Sequence, residues 1–375
     1  MVSVERKQGA NPFRSMDWYM LLVLLAIHAI GLVVLYSVAA QMGSPGMFIK
    51  QLVAVGIGLV AMTAMLLFDY KDFRVLGFLA WGGTTFLLLL VLVIGHGLEE
   101  VGTNGWLDIG PVSMQPSEFA KISLVLVAAF WFERIREKPT WLNHLLLLGF
   151  SGLPIGLILL QPDFGTSMVC IFVFVSMLFV WGFKYRWILA GLGVTAAAAI
   201  PVWVYVLPKV LDEYQMLRLL SFVNPAAYSK DAAYQVRMAI RAIGSGQATV
   251  DLSRDYAANW VPASQTDMIF SALGEKLGFY GAALTVLLFG LFLLRCIQVA
   301  YQARDRFGSY ATIGLAAIFM AHFLENVGMN LGLMPVTGIP LPFISAGGTS
   351  VVAYDLAAGI LLGISMRRKI GPYEG

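Results

Sequence analysis

Charge is what this sequence has least of. Only 13% of its 375 residues are Asp, Glu, Lys or Arg, against about 25% in soluble domains. So few charges cannot cover the surface of a water-soluble fold of this size. Cysteine is scarcer still. Cys170 and Cys296 both fall in or beside apolar segments, which excludes a disulfide framework and leaves small buried thiols. The four histidines are scattered without metal-ligand spacing. No internal repeat and no low-complexity segment is visible. The first apolar run is too long for the core of a cleavable signal peptide, so none is expected. A balance of +3 gives no reason to expect a nucleic-acid partner.

What fills the space is apolar. Hydrophobic residues make up 59% of the chain, against roughly 45–50% in soluble domains. Apolar runs recur at about 17–39, 48–68, 73–95, 117–132, 142–160, 165–182, 186–206, 267–294, 308–334 and 348–366. Most are close to the roughly 20 residues that cross a bilayer core. Lipid cannot satisfy free backbone groups, so such runs must be helices. The sequence therefore predicts an all-α polytopic membrane protein of about ten transmembrane helices. It reads as one bundle over residues 1–375, with a long outer loop, 207–266, between the seventh and eighth spans.

Lys and Arg set the orientation. One set of connections holds Arg6, Lys7, Arg14, Lys71, Arg74, Arg134, Arg136, Lys138, Lys184, Arg186, Arg295, Arg304, Arg306, Arg367, Arg368 and Lys369. The short loops on the other side hold only Lys50. Both termini are therefore expected on the cytoplasmic side. The opposite face carries the long loop and three connections rich in Gly, Pro and polar residues, 95–118, 161–166 and 335–350. Loops on one face of a rigid scaffold are where a site is built, though they also serve simply to cap a bundle.

Asp267 stands at that face. Ser264-Gln-Thr-Asp267 fits a capping box, with Ser264 as N-cap and the acid near the positive end of the helix dipole. Below it, Asp267, Ser271, Gly274, Glu275 and Gly278 share one helical face. A small, polar face inside an apolar helix points into the bundle or a water-filled cavity. A carboxylate at the mouth, with a second acid about 12 Å deeper by helical rise, suits general-base chemistry. Lys276, on the opposite face, needs a partner, and an acid is expected. In the long loop, Lys230, Arg237 and Arg241 align on one side of an amphipathic helix, with Val236, Ala239, Ile240 and Ile243 opposite. Such a helix lies at the membrane surface, either clamping an anionic headgroup or presenting a solvated face. Glu118 and Lys121, one turn apart, can pair as structural glue or as a substrate contact. His322, Glu325, Asn326 and Asn330 form a polar stripe, and Asp355 sits within the tenth span. Intramembrane acids cost roughly 2.5–3.5 kcal/mol, so each requires a partner or a cavity.

Several stretches together resemble one family. They are MQPSEFAKI (114–122), LLQPDFGTS (159–167), AIGSGQ (242–247), VPASQTDMIF (261–270), LGFYGA (277–282) and NVGMNLGLMPVTGIPLPFISAGGTS (326–350). In this order, over nearly the whole chain, they are similar to the SEDS family (shape, elongation, division and sporulation), and the last stretch is closest to its RodA branch. The resemblance implies a peptidoglycan glycosyltransferase that polymerises lipid II at the outer leaflet of the bacterial cytoplasmic membrane. It implies a class B penicillin-binding protein as crosslinking partner. It implies that Asp267 is the catalytic general base, and that a divalent cation, Mg or Mn, assists the departing undecaprenyl pyrophosphate. Trp106, Gln115, Glu118, Lys121, Arg237, Arg241, Thr266, Glu275 and Ser345 are the substrate-binding positions carried over or suggested by the loops.

The departures are equally specific. Gly105 stands where the family usually has Arg. Pro262-Ala263-Ser264-Gln265-Thr266-Asp267-Met268 replaces its Pro-Glu-x-His-Thr-Asp-Phe, Glu275-Lys276 replaces a Glu pair, and residues 248–260 replace a Gly-rich segment. A divergent polymerase, an altered substrate preference and a lost activity all fit these changes. The survival of Asp267, Thr266, Glu118 and Lys121 favours an active enzyme. Two other readings compete. A lipid II flippase would need alternating access, usually built from repeated halves, and no repeat is visible. A non-catalytic scaffold that activates a cell-wall synthase would draw its support from residues 248–260.

Overall fold

The structure, a computed structural model, describes residues 15–97, 103–110, 112–186, 189–191, 193, 213–224 and 232–368. Long helices occupy nine of the ten expected spans: α1 (Trp18–Gln41), α2 (Pro45–Leu67), α3 (Phe73–Ile94), α4 (Pro116–Glu137), α5 (Trp141–Leu160), α6 (Phe164–Trp181), α10 (Ile269–Gln302), α11 (Arg306–Asn330) and α12 (Gly348–Met366). Eight of these, among the described residues, are long and apolar enough to cross a membrane. The ninth, α4, carries more charge. The expected seventh span, 186–206, lies almost wholly outside the described residues, as does Lys230. Between α3 and α4 a short antiparallel pair, β1 (Leu107–Ile109) and β2 (Val112–Met114), forms a hairpin. The long loop contributes α7 (Glu213–Val223), α8 (Ala232–Ser245) and α9 (Tyr256–Trp260).

Local chemistry starts these helices. Asp17, Thr140, Asp163 and Asp305 each accept a hydrogen bond from a first-turn amide of α1, α5, α6 and α11, satisfying donors that lipid cannot. Pro45 and Pro116 open α2 and α4, where a missing N–H costs nothing. Nearly every residue of α12 is buried, while α2, α3 and α5 present large apolar side chains outward, such as Val60, Leu79 and Leu160. The core therefore sits around α12, α11 and α4, ringed by helices with lipid-facing surfaces.

The Lys- and Arg-rich end is tied by ion pairs. Arg74 donates to Glu133 and Asp305 at 2.9 and 3.0 Å, and Tyr70 donates to Asp305 at 3.0 Å. Arg295 and Arg368 both reach Asp17 at 2.8 Å. Charges at this end thus join helix termini as well as marking a side.

At the opposite end α10 is broken. Gly278 has φ 62° and ψ −167°, a conformation open to glycine, and an added Cβ would lie 2.8 Å from the Thr249 carbonyl oxygen. The groups freed by the break are met from the loop before it. The Phe279 amide donates to Gln247 O at 2.7 Å, and the Asp251 amide to Lys276 O at 2.8 Å. Arg254 Nη1 donates to the carbonyls of Glu275 and Gly246, both at 2.8 Å.

Candidate active site

The segment before α10 is a tight turn rather than helix. Ala263 adopts φ 57°, and its carbonyl accepts from the Thr266 and Met268 amides, both at 3.0 Å. Helix α10 begins only at Ile269, with Met268 at its cap and no side-chain capping bond. The expected capping box is therefore not formed. Among the described residues the buried Ser264 hydroxyl meets no partner, and Asp267 lies outside the helix.

The main chain of the turn is held on several sides. Asn326 and Asn330 on α11 donate to the Asp267 carbonyl at 2.8 and 3.1 Å. Asn330 also accepts from the Ser271 amide at 3.0 Å. Ser345 donates to Thr266 O at 2.7 Å and accepts from the Leu341 amide at 2.8 Å. The Ala346 amide donates to Gln265 O at 2.8 Å. Ser345, a candidate substrate contact, is thus 2% exposed and engaged in clasping the turn.

These bonds use the backbone of residue 267, and its side chain turns elsewhere. Its Oδ2 and Arg218 Nη1 converge on Gly338, lying 3.4 and 3.6 Å from the point where a Cβ on that glycine would be. Burial pushes the Asp267 carboxyl above the ordinary range, and Arg218 and the Thr266 side chain pull it partly back. A carboxylate raised in this way is a better proton acceptor than an exposed one. Arg218 also lines a cavity of about 200 Å³ with Arg237, Phe222, Val236, Ile240 and Met334. One wall is apolar and two guanidinium groups are present, a composition suited to an anionic group carrying a hydrocarbon chain.

Arg218, on α7, was not singled out in the sequence. A lone cation in LRLLSF within the outer loop is its only signal. Helix α8 packs on α10, where Ile243 and Gly246 meet Gly274, and its Ala239 and Ala242 are fully buried. Val236 and Ile240, expected on its packed side, line the cavity with Arg237 instead. Arg241 is exposed and is not among the cavity-lining residues.

A second polar cluster is buried among α4, α6, α11 and α12. Lys121 donates to Glu118 at 2.9 Å and to His322 Nε2 at 2.7 Å. Lys121 is 1% exposed and ion-paired with Glu118, so it is closed to open contact with a substrate. Gln115 donates to Asp163 at 3.1 Å. Burial raises the Asp163 carboxyl, against the pull of the Thr166 hydrogen bonds, Lys121 and Gln115. Trp106 is half-buried and pairs through its backbone with His96. The Gly105 Cβ position has Gln115 Nε2 at 3.6 Å and Gln161 Oε1 at 3.9 Å.

Glu275 and Lys276 correct the sequence reading. Glu275 is no second acid in a cavity: its carboxylate accepts from the Tyr256 and Ala257 amides, both at 2.8 Å, and so caps α9. The hydrogen-bond partners of Lys276 are not acids but Gln41 Oε1 and the Arg254 carbonyl. Asp355 does have an ionisable neighbour, His28, at 3.0 Å. Among the described residues no group of three or more His, Cys, Asp or Glu is placed to hold a metal ion. Asp267 already has the Arg218 guanidinium beside it. The described donors therefore do not by themselves fit a divalent ion.

Comparison with known proteins agrees with this architecture. The model of the FtsW, RodA and SpoVE family, described as cell cycle protein, matches residues 17–370. Stage V sporulation protein E of Bacillus subtilis is 32% identical over 94% of this chain and 97% of its own. Peptidoglycan glycosyltransferase MrdB of Escherichia coli K12 is 31% identical over 95% of each. A chain in a solved peptidoglycan synthase complex, described as coordinating polymerisation and crosslinking, superposes with a TM-score of 0.81. It is 30% identical and covers 94% of this chain and 98% of that one.

Proposed function

The chain belongs to the FtsW, RodA and SpoVE family, and from that membership we propose that it is a peptidoglycan glycosyltransferase polymerising lipid II during cell elongation. The observation that carries the mechanism is Asp267: a carboxylate with a raised pKa, on a turn whose backbone is clamped by Asn326, Asn330 and Ser345, beside Arg218 at a cationic cavity. Asp267 takes the proton from the 4-hydroxyl of the acceptor sugar. That oxygen forms a bond to the anomeric carbon of the donor, and the bond from this carbon to the pyrophosphate oxygen breaks. The electron pair leaves with undecaprenyl pyrophosphate. Arg218 and Arg237 hold the pyrophosphate, with the lipid against the apolar wall.

The Lys- and Arg-rich end faces the cytoplasm by the positive-inside rule, with both termini there and the Asp267 end outward in the bacterial cytoplasmic membrane. The partner is a class B penicillin-binding protein. The test is polymerisation of purified lipid II by wild type and Asp267→Asn, with that partner co-expressed. Glycan from wild type alone supports the reading. No glycan from folded wild type with its partner, or equal glycan from both, overturns it.

A further inference from the structure

His322 lies in the middle of the molecule, and both of its ring nitrogens are committed. Nε2 is 2.7 Å from Lys121 Nζ. Nδ1 is 3.2 Å from the Pro340 carbonyl and 2.8 Å from the Tyr354 hydroxyl. His322 and Lys121 are 1% exposed and Tyr354 2%. An ammonium has no lone pair to offer, so Nε2 must accept from Lys121. The neutral ring then carries its hydrogen on Nδ1, which faces the Pro340 carbonyl and the nearer Tyr354 hydroxyl, both able to accept it. The Lys121 contact fixes the neutral tautomer, and the Nδ1 neighbours are compatible with it. A second proton on the ring would set two cations 2.7 Å apart with no acceptor between them. The imidazole is therefore a fixed bridge and not an acid or base.

The bridge has two ends that matter. One is the Glu118–Lys121 pair on α4. The other is the loop 336–346, whose Gly338 faces the Asp267 carboxylate and whose Ser345 clasps Thr266. One turn further along α11, Asn326 donates both to Ile339 O and to Asp267 O, each at 2.8 Å. Asn330, one turn beyond, donates to Asp267 O at 3.1 Å. Residues spaced by four share a helix face, so one ladder on α11 reads the buried cation, the loop and the catalytic turn in succession.

We propose that His322 is a positioning residue: as the neutral Nδ1–H imidazole it links Lys121 to the Pro340 carbonyl, and so sets the loop that packs against Asp267. Its effect on rate rests on the glycosyltransferase reading, while the bridge itself does not. Three variants separate the arms. His322→Asn keeps a donor near Pro340 and loses the acceptor for Lys121. His322→Gln does the reverse, and His322→Phe loses both.

The first readout needs no activity. With only four histidines in the chain, ring-nitrogen NMR of histidine-labelled protein in nanodiscs identifies His322 by the signal lost in His322→Asn. A neutral Nδ1–H signature is expected. Backbone amides of residues 341–346 should exchange faster in His322→Phe and His322→Gln than in His322→Asn. The second readout is kinetic. His322→Phe should lose roughly 10- to 100-fold in kcat, the scale of a small misplacement, with KM for lipid II little changed and the single-arm variants in between. A merely structural histidine would lower the folded fraction and leave kcat per folded molecule intact. An Nε2–H or doubly protonated ring, unchanged loop exchange, or wild-type kcat in folded His322→Phe overturns the proposal. An inactive wild type with the expected ring signature and exchange would refute the glycosyltransferase reading and leave the bridge standing.

Discussion

Replacing Asp267 by Asn separates chemistry from folding with unusual clarity, because the structure uses the two halves of this residue differently. Its carbonyl accepts from Asn326 and Asn330, and those bonds survive any side-chain change. Asn has the same shape and cannot take a proton. Loss of a positioned general base costs about 10²- to 10⁴-fold, or roughly 2.7–5.4 kcal/mol in the barrier at 1.36 kcal/mol per decade. Stability should move the other way or not at all. Burial holds the folded pKa of Asp267 above its ordinary value, so between the unfolded and folded values the native state binds more protons than the unfolded one. Stability contributed by this group then falls as pH rises through that window. Asn removes the fall, so the variant should melt no lower than wild type at neutral pH. The assay is a polymerisation time course on lipid II beside thermal unfolding in the same detergent. Glycan formation above about a tenth of the wild-type rate lies outside the range for a lost base and would refute the reasoning. A lower melting temperature would refute the claim that the clamp is independent of the carboxylate.

Three other substitutions test other parts of the structure. Arg218 pulls the Asp267 pKa down, so Arg218→Ala should move the acid limb of the pH–rate profile upward, and Arg218→Lys should move it less; a limb that stays put or falls contradicts the pairing. A Cβ on Gly58 would lie 2.1 Å from Asp355 Oδ2, so Gly58→Ala should cost about 1–3 kcal/mol as overpacking does. Thermal unfolding should show that Asp355→Ala recovers part of this loss in the double variant. Glu275→Ala leaves the Tyr256 and Ala257 amides without their acceptor, at about 1–3 kcal/mol for a buried orphan; Glu275→Gln, which can still accept, should melt between the two, and equal melting of all three proteins would exclude the cap.

The spans were legible because lipid allows little else. A run of apolar residues fixes helix, length and approximate ends, and α1, α2, α3, α5, α6 and α12 begin within three residues of the positions read from sequence. Polarity inside a span was legible as well. Glu118, Lys121, His322, Asn326 and Asn330 stood out because an unpaired polar group is costly there. What could not be read was which backbone each polar group serves. Asn326 and Asn330 reach across 59 and 63 residues to one carbonyl, and no periodicity on α11 points to that partner. The Ser264–Asp267 motif misled because a capping box and a hydrogen-bonded turn draw on the same residues. The left-handed Ala263 decides between them, and alanine gives no warning of it. Arg218 does not stand out because one cation in an outer loop has no pattern until α7 brings it beside Asp267.

The departures from the family pattern at 248–260 and at Lys276 take on a different meaning once their contacts are known. Read separately, each is a lost motif near Asp267. In the structure they complete one another. The break at Gly278 leaves carbonyls and an amide that a continuous helix would have paired, and lipid would leave them unsatisfied. Arg254, the Asp251 amide and the Gln247 carbonyl supply those partners. Lys276 in turn needs acceptors, and the Arg254 carbonyl and Gln41 on α1 supply them. Glu275 closes the unit by capping α9 at the end of the same loop. A lysine placed there without this loop would keep Gln41 and lose the Arg254 carbonyl, which accepts from both Lys276 and Gln41 Nε2. The two changes thus meet at the Arg254 carbonyl beside the broken helix, while Asp267 is held separately from α11 and the 336–346 loop. Divergence in the first unit need not disturb the second, which is the physical reason for reading this chain as a working polymerase.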